Sequence, residues 1–198
     1  MKYLFNFVAL MLTVVSVAGA AGISNSTLHN LQTAYNGESN ARAKYLEFAK
    51  KAEQEGYGQV ASLFRAAAAA EQIHRTCEAS VIKEMAATPR AKIALPPIKS
   101  TQQNLEDSAS KGEAYERDTM YPQFIRQART DGNNRAAQCF TYAQAAEAEH
   151  FNLFKAAARD LAQMKGAAGT YYVCTEGGYT MERLDVSKCP GGKHLELK

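Results

Sequence analysis

The chain carries the same four-residue pattern twice, as Glu71-Gln-Ile-His74 and Glu147-Ala-Glu-His150, with the second copy 76 residues after the first. Residues three apart on an α-helix share a face, so each copy aims one carboxylate and one imidazole at one point. The first copy follows an alanine run, Ala66 to Ala70, of the kind that packs helices closely. A chain that buries two such pairs must neutralise them, because unpaired interior charge costs several kcal/mol per ion.

The period extends well beyond the motif. Tyr45 matches Tyr121, Phe48 matches Phe124, Ala52 matches Ala128, and Gly56 matches Gly132. Ala61 matches Ala137 and Phe64 matches Phe140. Each half reads as a pair of helices. Apolar residues recur at helical spacing over Asn25 to Glu55 and again over Gln59 to Ala87, where Pro89 ends the pattern. A third helix is expected from about Asn104 to Thr130, irregular near Pro122, and a fourth from about Asn133 to Lys165. The breaks at EGYG and DGNN are tight and make antiparallel hairpins. The stretch ATPRAKIALPPIKSTQQ is long and extended at Pro96-Pro97, as a crossover along a bundle requires. Two hairpins joined by one long crossover define an all-α, ferritin-like four-helix bundle. A small turn-rich, short-stranded tail follows it. The expected division is residues 1–20, 21–168 and 169–198.

Two cations sharing a site need further acids from the other two helices. The first helix offers Glu38, seven residues before Tyr45; the third offers Glu113 and Glu116. Glu113 lies eight residues before Tyr121, one more than the repeat allows. One extra residue turns a side chain by about 100° on a regular helix. A π-bulge between Glu113 and Tyr121 is therefore expected. The candidate ligands are Glu38, Glu71, His74, Glu113, Glu116, Glu147 and His150. Oxygen and nitrogen donors without thiolate suit iron or manganese. A Glu from each of two helices with a Glu-x-x-His from each of the others is the pattern of di-iron and di-manganese carboxylate bundles.

These stretches, with NGESNARAKYLEFAKKAEQEGY and KGEAYERDTMYPQFIRQARTDG, resemble the rubrerythrin family over about Leu28 to Leu161. The resemblance implies two iron ions, with manganese or a mixed pair as variants. It implies reduction of hydrogen peroxide to water, an oxidoreductase activity of the peroxidase type. It makes Glu116 and His74 alternative ligands of one iron, and Tyr45 and Tyr121 hydrogen-bond donors to ligand glutamates. It also implies a homodimer, in which the long linker permits exchanged hairpins. Ferroxidase or oxidase activity, iron handling without turnover, and manganese catalase chemistry are the competing readings.

The tail departs from the family. It keeps the outline of a rubredoxin-like module, but Cys174-Thr-Glu-Gly177 and Cys189-Pro-Gly-Gly192 each lack a second cysteine. Two thiolates do not make a four-sulfur iron site, so no rubredoxin-type iron is expected and electrons must come from an external donor. Cys174 and Cys189 are instead expected to pair, closing a loop of about 15 residues that adds roughly 3 kcal/mol, with two free thiols or a different metal using His194 as the alternatives. Cys77, one turn after His74, and Cys139 are read as small core residues, with their pairing left open.

Lys2 followed by an apolar run to Val17 and then Ala18-Gly19-Ala20 reads as a secretory signal peptide cleaved after Ala20. A periplasmic or secreted protein is expected, free of the membrane after cleavage and in a compartment that permits disulfides. The formal net charge of +3 points to neither nucleic acid nor an anionic membrane surface.

Overall fold

The computed structural model describes residues 25–198, and the expected leader at residues 1–20 lies outside them. Helix α1 spans Asn25–Gln54 and α2 spans Gly58–Glu84. They fold back on one another across Gly56. The crossover follows, and α3 spans Thr101–Asp107. Two π-helical stretches, Ser108–Glu113 and Glu116–Met120, continue the same rod. Then come α4, Tyr121–Thr130, and α5, Asn134–Arg159. The protein is thus a ferritin-like four-helix bundle whose third rod is α3, the π stretches and α4 together.

Element ends follow local chemistry. The third rod begins at Thr101, before the Asn104 expected from periodicity, because Ser100 caps it by accepting from the Gln103 N–H at 3.3 Å. Asn133 caps α5 in the same way, accepting from the Ala136 N–H at 2.9 Å. The second π stretch falls between Glu113 and Tyr121, where the extra residue needs it. The first lies upstream and had no signal in the repeat. Pro122 sits in the first turn of α4, where its missing N–H costs little. The fourth helix stops at Arg159 and passes into a 3₁₀ turn, Leu161–Met164, short of the expected Lys165.

The crossover is held by one stripe of α1. Gln32, Asn36 and Asn40 stand four residues apart on that helix. The Gln32 side chain donates to the Thr88 carbonyl at 2.8 Å and accepts from the Arg90 N–H at 3.1 Å. Asn36 accepts from the Lys92 N–H at 2.8 Å. Asn40 accepts from the Ala94 N–H at 2.7 Å and donates to the Lys92 carbonyl at 3.0 Å. Three amides thus stand in for the neighbouring strand an extended backbone would otherwise need.

The core has two aromatic belts with the acidic cluster between them. Tyr45, Phe48, Phe64 and Phe154 form one; Tyr121, Phe124 and Phe140 form the other. Tyr45 stacks on Phe64 at 5.7 Å and Tyr121 meets Phe140 at 6.0 Å, as the repeat requires. Buried alanines line α2 and α5, including Ala66, Ala67, Ala70, Ala143 and Ala146. They keep the rods close enough for short carboxylate side chains to meet.

The tail forms a three-stranded antiparallel sheet with β1, Tyr171–Cys174, between β2, Thr180–Met181, and β3, His194–Leu197. A disulfide joins Cys174 to Cys189, with Cα atoms 5.1 Å apart. The pairing of Cys77 and Cys139, left open by the sequence, is settled here. A second disulfide joins them across α2 and α5, whose Cα atoms approach to 5.8 Å there, well within disulfide reach. Among the described residues no helix is long and apolar enough to cross a membrane.

Replacing Asn36 and Asn40 by alanine removes three of the crossover hydrogen bonds. Each bond contributes about 1 kcal/mol. The double variant is expected to unfold at lower denaturant and to be cut faster by protease between residues 88 and 94; unchanged cleavage contradicts the role given to these amides.

Candidate metal centre

Four rods deliver the acidic cluster. α1 contributes Glu38, α2 contributes Glu71 and His74, and the first π stretch ends on Glu113. α5 contributes Glu147 and His150. All six are at most 2% exposed. Their ligand atoms fall into two groups, each within 4.8 Å of one another: Glu38, Glu71, His74 and Glu147 in one, and Glu71, Glu113, Glu147 and His150 in the other. Glu71 and Glu147 belong to both. Two four-ligand groups that share two carboxylates could hold two adjacent cations, with the shared acids between them.

The imidazoles are oriented from outside. His74 Nε2 lies 3.1 Å from the Gly177 carbonyl, which can only accept, so the proton of a neutral ring sits on Nε2. His150 Nε2 lies 3.0 Å from the Thr180 hydroxyl, which itself donates to the Gly178 carbonyl at 3.1 Å and so accepts from the ring. Both Nδ1 lone pairs therefore face the acids. His74 Nδ1 is 2.9 Å from Glu71, 3.1 Å from Glu147 and 3.5 Å from Glu38. His150 Nδ1 is 2.8 Å from Glu147 and 3.5 Å from Glu71. A carbonyl or hydroxyl behind a ligand histidine is how proteins fix the metal-binding nitrogen. Both backing groups come from the tail. It approaches so closely that a Cβ on Gly178, at φ +74°, would lie 2.5 Å from His74 Nε2. Only glycine fits there.

The cluster is electrically unfinished without cations. Glu38 Oε2, both Glu71 oxygens, Glu113 Oε2, Glu147 Oε1 and His74 Nδ1 are buried with no hydrogen-bond partner. Burial, reinforced by Glu71, pushes the Glu38 carboxyl up to about 8. Burial and the Glu147 charge push Glu71 to about 7. Glu113 is raised well above the carboxylate range, by burial and then by Glu147. Burial acts on Glu147 as well, but the His150 and His74 imidazoles outweigh it and hold this carboxyl low. Two divalent cations would satisfy the orphaned atoms and remove the repulsion at once. The donor set, hard oxygens with two imidazoles and no sulfur, suits iron or manganese.

The remaining expected residues take different places. The Tyr45 hydroxyl donates to Glu113, and the Tyr121 hydroxyl donates to Glu38. Each tyrosine of the repeat thus holds an acid from the opposite half. Glu116 stands outside both four-ligand groups, partly buried, with Oε1 beside Gly37. Burial and the nearby Glu38 push it up to about 8.

Sequence reasoning missed Glu78. It is 1% exposed and its Oε1 lies 3.4 Å from the Tyr121 hydroxyl. It is four residues after His74 on the same face, which was a usable signal. The repeat hid it, because the matching position is Phe154, which packs on Tyr45 at 5.3 Å. The two halves are therefore unlike around their tyrosines: one is apolar, the other acidic. The backing groups Gly177 and Thr180 were also missed, since nothing in the tail's composition places it over the histidines.

The raised carboxyls set a pH dependence for the metal-free protein. A group whose folded pKa exceeds its unfolded value binds more protons in the native state. Its contribution is present below the unfolded value, near 4.5, and is lost as pH rises through the folded value. For Glu71, Glu38 and Glu116 that window closes at about 7 to 8. The melting temperature of metal-free protein is expected to fall by several degrees from pH 5 to pH 8, at about 2–4 °C per kcal/mol. Two bound divalent ions should abolish that fall. A metal-free protein equally stable at both pH values contradicts the buried-acid account.

Residues 29–158 match the family model described as Rubrerythrin. Nigerythrin of Nitratidesulfovibrio vulgaris is 40% identical over 175 residues, covering 88% of this chain and 85% of that protein. A solved structure of nigerythrin in its fully reduced, all-ferrous state superposes with a TM-score of 0.75 at 37% identity, covering 91% of this chain and 92% of that one. The bacterioferritin of Desulfovibrio desulfuricans shares the fold, with a TM-score of 0.66 at 19% identity over 80% of this chain and 94% of that one. With its twofold Glu-x-x-His bundle and a family match over most of its length, this chain belongs to the rubrerythrin family.

Proposed function

We propose that this protein is a non-haem diiron peroxidase that reduces hydrogen peroxide to water, exported from the cell and fed by an external electron donor. One observation carries the reading: two buried four-ligand groups share Glu71 and Glu147. That arrangement suits two metals held side by side. Nigerythrin, which shares the fold and much of the sequence, has been solved with ferrous iron.

Two iron ions bound here would supply two electrons and Lewis-acid polarisation for splitting the O–O bond. Everything else falls to the chain. Glu38, Glu71, Glu113 and Glu147, with Nδ1 of His74 and His150, would hold the metals. Glu116 and His74 would serve as alternative ligands of one of them. Tyr45 and Tyr121 would keep Glu113 and Glu38 turned inward and hold a proton at each carboxylate oxygen. The aromatic belts exclude water from both ends of the cluster.

Export is supported by the apolar leader pattern at residues 1–20 and by two disulfides, which oxidising compartments favour. An external donor is supported by the tail. Cys174 and Cys189 are bonded to each other, which leaves no thiolates there for an iron of their own. The same loss favours a second reading, iron handling or ferroxidase action without peroxide turnover.

Stopped-flow mixing of the diferrous protein separates the two. Peroxide is expected to oxidise the centre at least about tenfold faster than O₂, a barrier difference of about 1.4 kcal/mol. Faster oxidation by O₂, or no peroxide consumed over repeated cycles with an artificial donor, contradicts the peroxidase reading.

A further inference from the structure

The Cys77–Cys139 disulfide occupies a place where packing asks for none. In the 76-residue repeat, Leu153 matches Cys77 and Leu63 matches Cys139. Leu63 is fully buried and Leu153 packs against the same cluster. The other half of the bundle therefore meets the same demand with two leucines. Sulfur replaces them only on the side of His74.

That side is also open. A cleft of about 440 Å³ lies between α2, α5 and the tail, lined among others by His74, Cys77, Cys139, Arg135 and Gly177. A solute in it meets the sulfur pair and the edge of a ligand histidine together. His74 and Cys77 are three residues apart on α2, a spacing that puts Cβ atoms about 5–6 Å from each other. Cys77 is half-buried and Cys139 is 3% exposed, so the sulfur open to attack is that of Cys77. Arg135, one turn before Cys139 on α5, lines the same cleft, and a cation there favours a thiolate.

We propose that Cys77 and Cys139 are a redox-active pair that carries two electrons from an external dithiol, bound in this cleft, to the metal centre behind His74. The inference rests on the diiron peroxidase reading and names the class of its donor. A thiolate of the donor attacks Cys77 Sγ. The Cys77–Cys139 bond breaks and Cys139 leaves as thiolate. The donor's second thiol then closes on its own first sulfur, which releases Cys77. The donor departs as a disulfide, and its two protons stay on Cys77 and Cys139. When the pair re-forms its S–S bond, it gives up two electrons and two protons. The electrons reduce two ferric ions to ferrous, one each. Hydrogen peroxide takes up two electrons and two protons as its O–O bond breaks to two waters. The sum is peroxide plus dithiol giving two waters plus disulfide.

The test uses the iron-loaded full chain with dithiothreitol as probe. The protein is reduced anaerobically, freed of dithiothreitol and titrated with peroxide. Cysteines are alkylated before and after and located by peptide mass. Label is expected on Cys77 and Cys139 before peroxide and not after. Two equivalents of peroxide should be consumed per chain, falling to one in Cys77→Leu/Cys139→Leu, which copies the leucine pair of the other half. In metal-free protein the thiols should be oxidised at least about tenfold more slowly. Should the double variant not fold, the labelling of the unaltered chain decides. A centre that consumes one equivalent while both thiols keep their label overturns the relay alone. So does a pair that dithiothreitol reduces only on unfolding, or one oxidised as fast without metal. A diferrous centre inert to peroxide overturns the peroxidase reading and the relay with it.

Discussion

Mutual repulsion among Glu38, Glu71, Glu113 and Glu147 governs this structure. Four acids and two imidazoles meet in an interior that excludes water, and several of their atoms have no protein partner. Burial, reinforced by the neighbouring acids, drives Glu38, Glu71 and Glu113 toward their neutral forms. Such a cluster is costly as a core and sensible as a cation site. The bundle around it serves to hold the acids together when empty and to place their lone pairs when filled.

The other features follow from that demand. Alanines on α2 and α5 let the rods approach until glutamates from different helices share a point. Two aromatic belts seal the ends, and each lends one tyrosine to fix an acid from the other half. The tail closes the side. Its Gly177 carbonyl and Thr180 hydroxyl fix the tautomers of both histidines, and the Cys174–Cys189 disulfide ties down the end of β1, from which the turn to both groups leaves. The tail is thereby part of the candidate metal centre, as its backing layer.

Much of this was legible in the residues, for one reason: the chain is a repeat. Period 76 exposed the helix pairs, the Glu-x-x-His faces, the two tyrosines and the one-residue excess that a π stretch absorbs. The same symmetry concealed what departs from it. Glu78 was overlooked because its counterpart is Phe154, and the Cys77–Cys139 pairing stayed open because its counterparts are Leu153 and Leu63. Contacts between distant segments carry no local signal at all. The grip of Gln32, Asn36 and Asn40 on the crossover, and the seating of Gly178 against His74, depend on tertiary approach. Glu116 has no acidic counterpart in the repeat, and it stands outside both four-ligand groups.

Diffraction at the iron absorption edge from crystals of iron-loaded protein tests the central claim most directly. Two anomalous peaks are expected about 3.5–4 Å apart, the spacing usual for two-metal sites, with Glu71 and Glu147 reaching both and one histidine Nδ1 on each. A single peak, or iron bound only at the surface while these carboxylates remain turned on one another, contradicts it.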